Sequence, residues 1–373
     1  MLARVVAVLG LVLFVSASLD GRADADQVVA VAGSMTGDMA PNGVATANGV
    51  KRAVAAINAK GGLLGQKLVE VINDDACDAD QAEAAARRLT ELAPAVVIGH
   101  FCSSCSIRAA PIYAKGQILQ ISPSSTNPQL TEMGIGTLFR MIGRDDNQGK
   151  VAGDRIARQW PATPVALLND GSVYGKGLVD ILRARLKEHG IAPAIDEAFE
   201  PGAQSYAELV LKLKKAGVRA TYIGGYELDI AVITRDVAAE DVRTTIMGGD
   251  VIQDISFWKA AGKAGENVEF TYPPEPIDQP AGRAMIEDAH RDGVEITADA
   301  VTAFAAVEVW SQAVAQVRSF DTAKVAAALH AGSFESRIGM VRFDGKGDIV
   351  GPQSEWLWYR WKDGKIEHAD DRR

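Results

Sequence analysis

Short apolar runs rich in Val and Ile alternate along the chain with longer stretches whose apolar residues recur at helical spacing. In 44–59, for example, Val50, Val54 and Ile57 follow a helical period that ends before Gly61. The pattern predicts strands at 28–31, 67–72, 96–98, 118–121, 165–168, 220–223, 245–247, 340–343 and 355–361. It predicts helices at 44–59, 78–92, 107–114, 149–159, 178–189, 206–216, 281–292 and 298–317. This alternation indicates an α/β fold with parallel sheets.

The alternation falls into two successive sets of similar architecture, and the second set begins near Asp145. A proline-rich segment at 272–280 follows the second set and leads into further helices. A chain of 373 residues is long enough for two domains of ordinary size. We therefore expect two Rossmann-like α/β lobes, each built on its own parallel sheet.

The segment 96–105 carries the strongest indication of a binding site. The buried strand at 96–98 is followed by Gly99, and Ser103, Ser104 and Ser106 stand where a helix should begin. Helix starts expose unpaired N–H groups at the positive end of the helix dipole, so they suit an anion such as a carboxylate. Taken alone, these serines are also explained as helix caps.

Polar residues follow the predicted strands of both sets, at the edge where parallel α/β sheets bind their ligands. The residues in question are Ser103, Ser124, Ser125, Thr126, Tyr174, Tyr226 and Asp250. Since they come from both halves of the chain, we expect one site in a cleft between the two lobes.

Composition and the N-terminus narrow the partners and the compartment. The net charge of −9 makes nucleic acid and anionic membranes poor partners. Arg4, the apolar run 5–15 and the Ala23-Asp24-Ala25 pattern predict a signal peptide over residues 1–25, and hence export to the periplasm. The apolar run is too short to span a bilayer comfortably.

Export places the three cysteines in an oxidising compartment. Adjacent parallel strands would bring together Cys77 and Cys102, which favours that disulfide and leaves Cys105 free. A Cys102–Cys105 pair in C-x-x-C spacing is the alternative. Three cysteines with only His100 nearby are a poor ligand set for zinc, so we expect no metal and no cofactor.

No signature of catalysis or nucleotide binding stands out. The chain lacks a P-loop, G-x-G-x-x-G, H-E-x-x-H and G-x-S-x-G. His100, Ser103 and Asp250 could in principle form a hydrolytic triad, but His100 and Ser103 lie on one turn, which does not guarantee the geometry of a base. We therefore expect a binding protein and not an enzyme.

Several segments, in the right order from about residue 27 to the end of the chain, resemble the periplasmic branched-chain amino acid (Leu/Ile/Val) binding proteins of ABC transporters. The segments are GSMTG at 33–37, AAINAKGG at 55–62, NDDACD at 73–78, GHFCSS at 99–104, YGKG at 174–177 and YIGGY at 222–226. The resemblance implies a type I periplasmic binding fold, in which three crossovers form the hinge between two lobes. The implied N-terminal lobe is 26–144 plus 273–352, and the implied C-terminal lobe is 145–272 plus 353–373.

The resemblance also implies the site. Ser103, Thr126 and Tyr226 would bind the ligand's α-carboxylate, and Ser124, Thr126 and Asp250 its ammonium group. The side-chain pocket would be formed by Asn42, Phe101, Cys102, Ser125 and Tyr174. The family disulfide matches Cys77–Cys102. The implied partners are an amino acid ligand and a membrane permease, and the protein is expected to be a monomer.

The chain departs from the family pattern at five pocket positions. Asp250 replaces a frequent Glu, Ser124-Ser125 replace two alanines, Asn42 stands at a usual aromatic position, and Asp299 aligns loosely with an apolar one. Each change makes the pocket more polar, so a purely aliphatic side chain suits it less well. We expect Leu, Ile or Val first, with a polar amino acid, a small amide or a sensor role as alternatives.

Overall fold

The computed structural model describes residues 26–291, 293 and 296–369, so the predicted signal peptide lies outside the described residues. The first elements are β1 (Gln27–Gly33), α1 (Ala40–Ala59), β2 (Leu68–Asp74), α2 (Ala79–Leu92), β3 (Val96–Gly99), α3 (Ser103–Lys115), β4 (Gln120–Ser122), α4 (Gln129–Glu132) and β5 (Leu138–Arg140). The strands form a five-stranded parallel sheet in the order β2-β1-β3-β4-β5.

The chain then builds a second sheet. Its elements are α5 (Asp145–Gln159), β6 (Val165–Asn169), α6 (Val173–Glu188), β7 (Ile195–Ala198), α7 (Ala207–Ala216), β8 (Ala220–Gly224), α8 (Glu227–Ala239), β9 (Thr245–Gly248), α9 (Ile255–Ala261) and β10 (Glu269–Tyr272). Strands β6 to β10 pair in parallel in the order β10-β9-β8-β6-β7.

The rest of the chain returns to the first sheet and then to the second. Its elements are α10 (Pro280–Arg291), α11 (Ala298–Val317), α12 (Thr322–Ala331), β11 (Phe334–Ser336), β12 (Gly339–Phe343), β13 (Ile349–Val350), β14 (Leu357–Lys362) and β15 (Lys365–His368). Helix α11 packs against α1, whereas β14 pairs antiparallel with β10. The chain therefore passes three times between two lobes. The predicted boundaries at 144/145, 272/273 and 352/353 remain predictions.

Each lobe has its own core. Val29, Val31 and Ile98 of the first sheet pack with Val307 and Trp310 of α11. In the second lobe the strand β6 is buried along its whole length beneath α5 and α6. Helix α11 has the length and hydropathy of a membrane-spanning helix, but two thirds of it is buried inside the protein. It is therefore accounted for as a core helix of the first lobe.

The predicted α/β architecture is confirmed, with differences that bear on the site. Helix α1 begins at Ala40, before the predicted residue 44, because Pro41 fits the first helical turn. This places Asn42 on a helix instead of in a loop. Helix α8 was not predicted, since the β-branched residues in Ile230-Ala231-Val232-Ile233 weaken the helical signal. It begins at Glu227, directly after a predicted site residue.

Candidate functional site

The carboxyl ends of both sheets face each other across a cleft. A narrow space between the lobes is lined by residues of both, namely Phe101, Ser103, Ser124, Thr126, Tyr174, Tyr226 and Val251. Six predicted site residues, Phe101 among them, therefore border one space. Two predicted site residues, Asn42 and Asp250, lie buried beside it, as described below.

The first-lobe side of the space is formed by the start of α3 and the loop after β4. Ser103 is the first helical residue of α3, and its Oγ accepts a hydrogen bond from the backbone N–H of Asn127 at 3.3 Å. The hydroxyls of Ser124 and Thr126 are buried and have no hydrogen-bond partner among the described residues. Two hydroxyls and the N–H groups of a helix start thus converge where an anion or a polar ligand can be bound.

A buried arginine holds the loop after β4 in place. The Nη1 of Arg140 donates to the carbonyls of Ser125 and Asn127 at 3.1 and 3.0 Å, and its Nε donates to Asp348. The hydroxyl of Thr131 bonds to the same carboxylate. This network explains how the short loop presents Ser124 and Thr126 in a fixed geometry.

Three aromatic rings form the wall of the space. Tyr226 lies between Phe101 of the first lobe and Tyr174 of the second, with ring centroids 6.5 and 5.6 Å away. Tyr226 directly precedes the first residue of α8, and its hydroxyl makes no hydrogen bond within the described chain. Burial raises the pKa of Tyr226 well above its ordinary value, so its hydroxyl stays a hydrogen-bond donor at neutral pH.

Asp250 follows β9 and lies next to the space. Its Oδ1 accepts hydrogen bonds from the Tyr174 hydroxyl at 2.9 Å and from Gln148 Nε2 at 3.1 Å. Burial raises the pKa of Asp250 to about 6, so the carboxylate is still charged at neutral pH. Tyr174, which was predicted to line the side-chain pocket, thus also orients this acid.

A second acid, Asp145, is buried close to Asp250. Neither of its carboxylate oxygens has a hydrogen-bond donor of good geometry, although the Thr126 hydroxyl lies near enough to favour the ionised form. Burial, followed by the charge of Asp250, raises the pKa of Asp145 well above its ordinary value. A cation bound at this point would relieve both effects.

Further carboxyl groups lie at the side of the space away from Ser103. Asn42 donates from Nδ2 to Oε1 of Glu227 at 3.3 Å, and the Ser256 hydroxyl donates to the same oxygen at 3.3 Å. Asp254 caps α9 by accepting from the N–H of Ser256, and Asp299 lies in the first turn of α11. We call Glu227, Asp254 and Asp299 the distal acidic group. Within the described chain, none of them pairs with Lys or Arg.

Two predicted pocket residues are engaged elsewhere. The Ser125 hydroxyl bonds to the carbonyl of Phe101 at 3.0 Å and to Ser106 Oγ at 2.8 Å, so it points away from the space. Cys102 forms the predicted disulfide with Cys77, which confirms that pairing over Cys102–Cys105. Cys105 is a buried free thiol, and burial raises its pKa, as expected for an unreactive cysteine.

His100 does not face Ser103 or Asp250. Its Nδ1 lies against the carboxylate of Asp75 and its Nε2 is 3.0 Å from the Tyr113 hydroxyl. Both ring nitrogens are therefore engaged in the core of the first lobe. The arrangement matches a packed structural histidine and leaves no base for a Ser103 nucleophile.

Sequence reasoning missed four buried polar residues near the cleft: Asp145, Gln148, Glu227 and Asp254. Glu227 could have been found, because an acid directly after a predicted ligand-binding tyrosine at a strand end is itself a candidate. No local feature of the sequence distinguishes Asp145, Gln148 and Asp254 from ordinary polar residues at the starts of helices. In the part of the chain that the structure describes, no His, Cys, Asp and Glu side chains form a group suited to hold a metal ion.

Comparisons with known proteins agree with this geometry. The model of the family described as periplasmic binding protein matches residues 27–365. The Leu/Ile/Val-binding protein homolog 1 of Brucella abortus is 33% identical over 95% of both chains. A leucine-, isoleucine-, valine-, threonine- and alanine-binding protein of Pseudomonas aeruginosa is 34% identical over 89% of both chains.

Solved structures show the same fold. The leucine-binding protein LivK of Thermotoga maritima superposes with a TM-score of 0.83 at 24% identity, over 92% of this chain and 98% of that one. LivJ of Streptococcus pneumoniae, solved in complex with isoleucine, superposes with a TM-score of 0.82 at 23% identity over the same shares. The predicted two-lobed fold is thereby confirmed.

Proposed function

The chain belongs to the periplasmic binding protein family, and from that premise we propose that it captures an α-amino acid between its lobes and delivers it to an ABC permease. One observation carries the proposal. The space between the lobes is bordered by the helix start at Ser103 on one side and by Tyr226 and Tyr174 on the other, and the Tyr174 hydroxyl bonds to Asp250. A zwitterion needs both an anion site and a cation site within a few ångströms.

The carboxylate of the ligand would bind to the first lobe. The Ser103 hydroxyl, the N–H groups at the start of α3 and the Thr126 hydroxyl supply donors, and the Tyr226 hydroxyl adds one from the second lobe. The Thr126 and Ser124 hydroxyls have no protein partner, which fits atoms that bond to a ligand. The carbonyl of Ser124 would accept from the ammonium group.

The ammonium group would pair with Asp250, whose carboxylate is already held by Tyr174 and Gln148. Asp145 lies beside it, and a bound ammonium group would favour the ionised form of this carboxyl group. Since the contacts are divided between the lobes, only the closed form makes all of them. The ligand shifts the protein to that form by its differential affinity.

Leu, Ile and Val are the first ligands to test, because the similar proteins from Brucella and Pseudomonas are named for them. A polar amino acid or a small amide is the alternative within this function. The predicted signal peptide places the protein in the periplasm, where a monomer would meet the permease. A sensor role would use the same site with a different membrane partner.

A thermal-shift screen of the mature protein tests the proposal. The protein is unfolded and refolded to remove endogenous ligand and is then screened against all amino acids, small amides and aromatic carboxylates. A ligand present at about 100 times its dissociation constant adds about 2.7 kcal/mol of stability, which raises the melting temperature measurably. If no α-amino acid stabilises the protein, the proposed zwitterion site is wrong.

A further inference from the structure

We propose that the distal acidic group binds a positively charged side chain of the ligand, so that the protein takes a cationic α-amino acid with a terminal amine or guanidinium. The inference rests on the proposed function, because it assumes that the α-carboxylate and α-ammonium are bound as above. The side chain of the ligand would then be positively charged, whereas the relatives lead us to expect an apolar, branched side chain.

The distal acidic group lies next to residues that line the ligand space. Glu227 follows Tyr226, whose ring lines the space, and α8 begins at that point. Asp299 lies close enough to both Asp250 and Glu227 for their charges to raise its pKa. A ligand whose α-ammonium pairs with Asp250 would therefore extend its side chain toward Glu227 and Asp299.

Buried polar atoms in this group lack partners. Glu227 is 0% exposed and Asn42 is 1% exposed, yet Oε2 of Glu227 and Oδ1 of Asn42 form no hydrogen bond. The Asn42 amide donates to the Glu227 carboxylate through Nδ2, so the two unpartnered atoms belong to one hydrogen-bonded pair of side chains. A buried acceptor without a donor is costly, and a ligand with several N–H groups would satisfy both atoms.

Charge also favours a cationic ligand. Glu227, Asp299 and Asp254 each lie at a helix start, where the helix dipole stabilises a carboxylate in part. The effect of burial is larger than the effect of the dipole, and burial raises the pKa of Glu227 to about 8. An ordinary zwitterion brings no net charge, whereas a cationic amino acid brings one positive charge to three carboxyl groups that make no ion pair with Lys or Arg within the described chain.

Space is available for a long side chain. A cavity of about 580 Å³ borders the group at Asp254, and its wall includes Pro41 and Ala45 of α1 and Ala298 and Ala300 of α11. Arg52 and Lys365 also line this cavity, so the positive end of the ligand would lie at the Asp254 side. An aliphatic side chain at this position would bury unpartnered carboxyl groups against methyl groups, which is unfavourable. A cationic side chain would favour the ionised forms of Glu227 and Asp299, whereas a neutral amide would form hydrogen bonds without that gain.

The test is isothermal titration calorimetry of the mature protein, refolded to remove endogenous ligand. The probes are L-lysine, L-ornithine and L-arginine, with L-norleucine, L-leucine and L-glutamine as neutral counterparts. We expect at least one cationic amino acid to bind tenfold or more tightly than every neutral one. Tighter binding of leucine, norleucine or glutamine would overturn the inference and leave the proposed function standing.

Variants assign the effect to the group. Glu227→Gln keeps the shape and the acceptor for Asn42, and it should weaken the cationic ligand at least tenfold while leaving norleucine within about twofold. Asp299→Asn is a second variant in case the first does not fold, and Glu208→Gln, an exposed acid of the same lobe, is the matched control. Equal losses for cationic and neutral ligands would refute a side-chain contact.

A further titration distinguishes failure of this inference from failure of the proposed function. If no α-amino acid binds, putrescine, a diamine without a carboxylate, is titrated. Binding of putrescine that is lost in Glu227→Gln would support the acidic site and overturn the amino acid function. Absence of binding by putrescine as well would overturn both.

Discussion

Asn42 and Glu227, which are 185 positions apart in the chain, form a hydrogen bond of 3.3 Å across the cleft between the lobes. Asn42 lies in the first turn of α1, and Glu227 opens α8 of the other lobe. A second bond, from Asn127 Nδ2 to the carbonyl of Val173 at 2.8 Å, also joins the lobes. The structure is therefore a closed form that the protein's own side chains help to hold.

The first prediction concerns closure. Asn127→Asp keeps the Oδ acceptor that caps Gln129 but loses the Nδ2 donor to Val173, so it should weaken the closed form by about 1 kcal/mol. Because the closed form binds the ligand, the apparent dissociation constant should rise about fivefold. Calorimetry measures the affinity, and small-angle X-ray scattering of the ligand-free protein measures the opening. Unchanged values in both would show that this bond does not contribute to closure.

The second prediction concerns Asp250. Replacing it with Asn removes the charge that pairs with the ligand's ammonium group while keeping acceptors for Tyr174 and Gln148. Binding should weaken by roughly 2–4 kcal/mol, since the ammonium would be left without its buried partner. Calorimetry with the strongest ligand from the screen measures the loss, and Glu208→Gln serves as the control. An affinity equal to that of the parent protein would contradict the cross-lobe zwitterion site.

The third prediction is that the ligand-free protein becomes less stable as the pH rises from about 5 to 8. Burial raises the pKa of Asp250 to about 6, of Glu275 to about 7 and of Glu227 to about 8. In this window the folded chain still holds protons that the unfolded chain has released, so rising pH favours unfolding. The free energy of unfolding should fall by on the order of a few kcal/mol, and the contribution of these three groups to the slope should vanish above about pH 9.

Denaturant titrations at several pH values measure this slope. Exposed carboxylates with lowered pKa values, such as Asp154 and Glu132, act in the opposite direction but only below about pH 5, so they do not mask it. Glu227→Gln should flatten the part of the slope between about pH 7 and 8. A free energy of unfolding that rises between pH 5 and 8 would show that the cleft acids are hydrated or paired in solution.

The fourth prediction concerns the disulfide. Cys77 and Cys102 are separated by 25 positions, and reducing their bond should lower the free energy of unfolding by about 3 kcal/mol, as loop-closure entropy predicts. Cys105→Ala should show the same loss on reduction, because that thiol takes no part in the bond. Peptide mapping should find Cys105 as the free thiol, and an alkylated Cys77 in the oxidised protein would refute the pairing.

Much of the fold followed from local pattern. The apolar run of β3 and the helical period of α1 gave the order of elements, because burial and backbone geometry act over a few residues. Polar residues at strand ends, Ser103, Thr126, Tyr226 and Asp250 among them, pointed to the cleft because parallel sheets place those ends together. Helix α8 and the edge strand β7 were missed, since β-branched or half-exposed residues blur their period.

By itself, the sequence determined the two-lobed α/β class, the strand-end residues that border the ligand space and the cysteine pairing that parallel strands favoured. Only the tertiary structure decided which carboxyl groups share one buried volume. Asn42, Glu227 and Asp299 lie far apart in the chain, and the starts of α1, α8 and α11 bring them together. The physical reason is that local pattern sets secondary structure, whereas the strength of a charge depends on burial and on neighbours that long-range packing supplies.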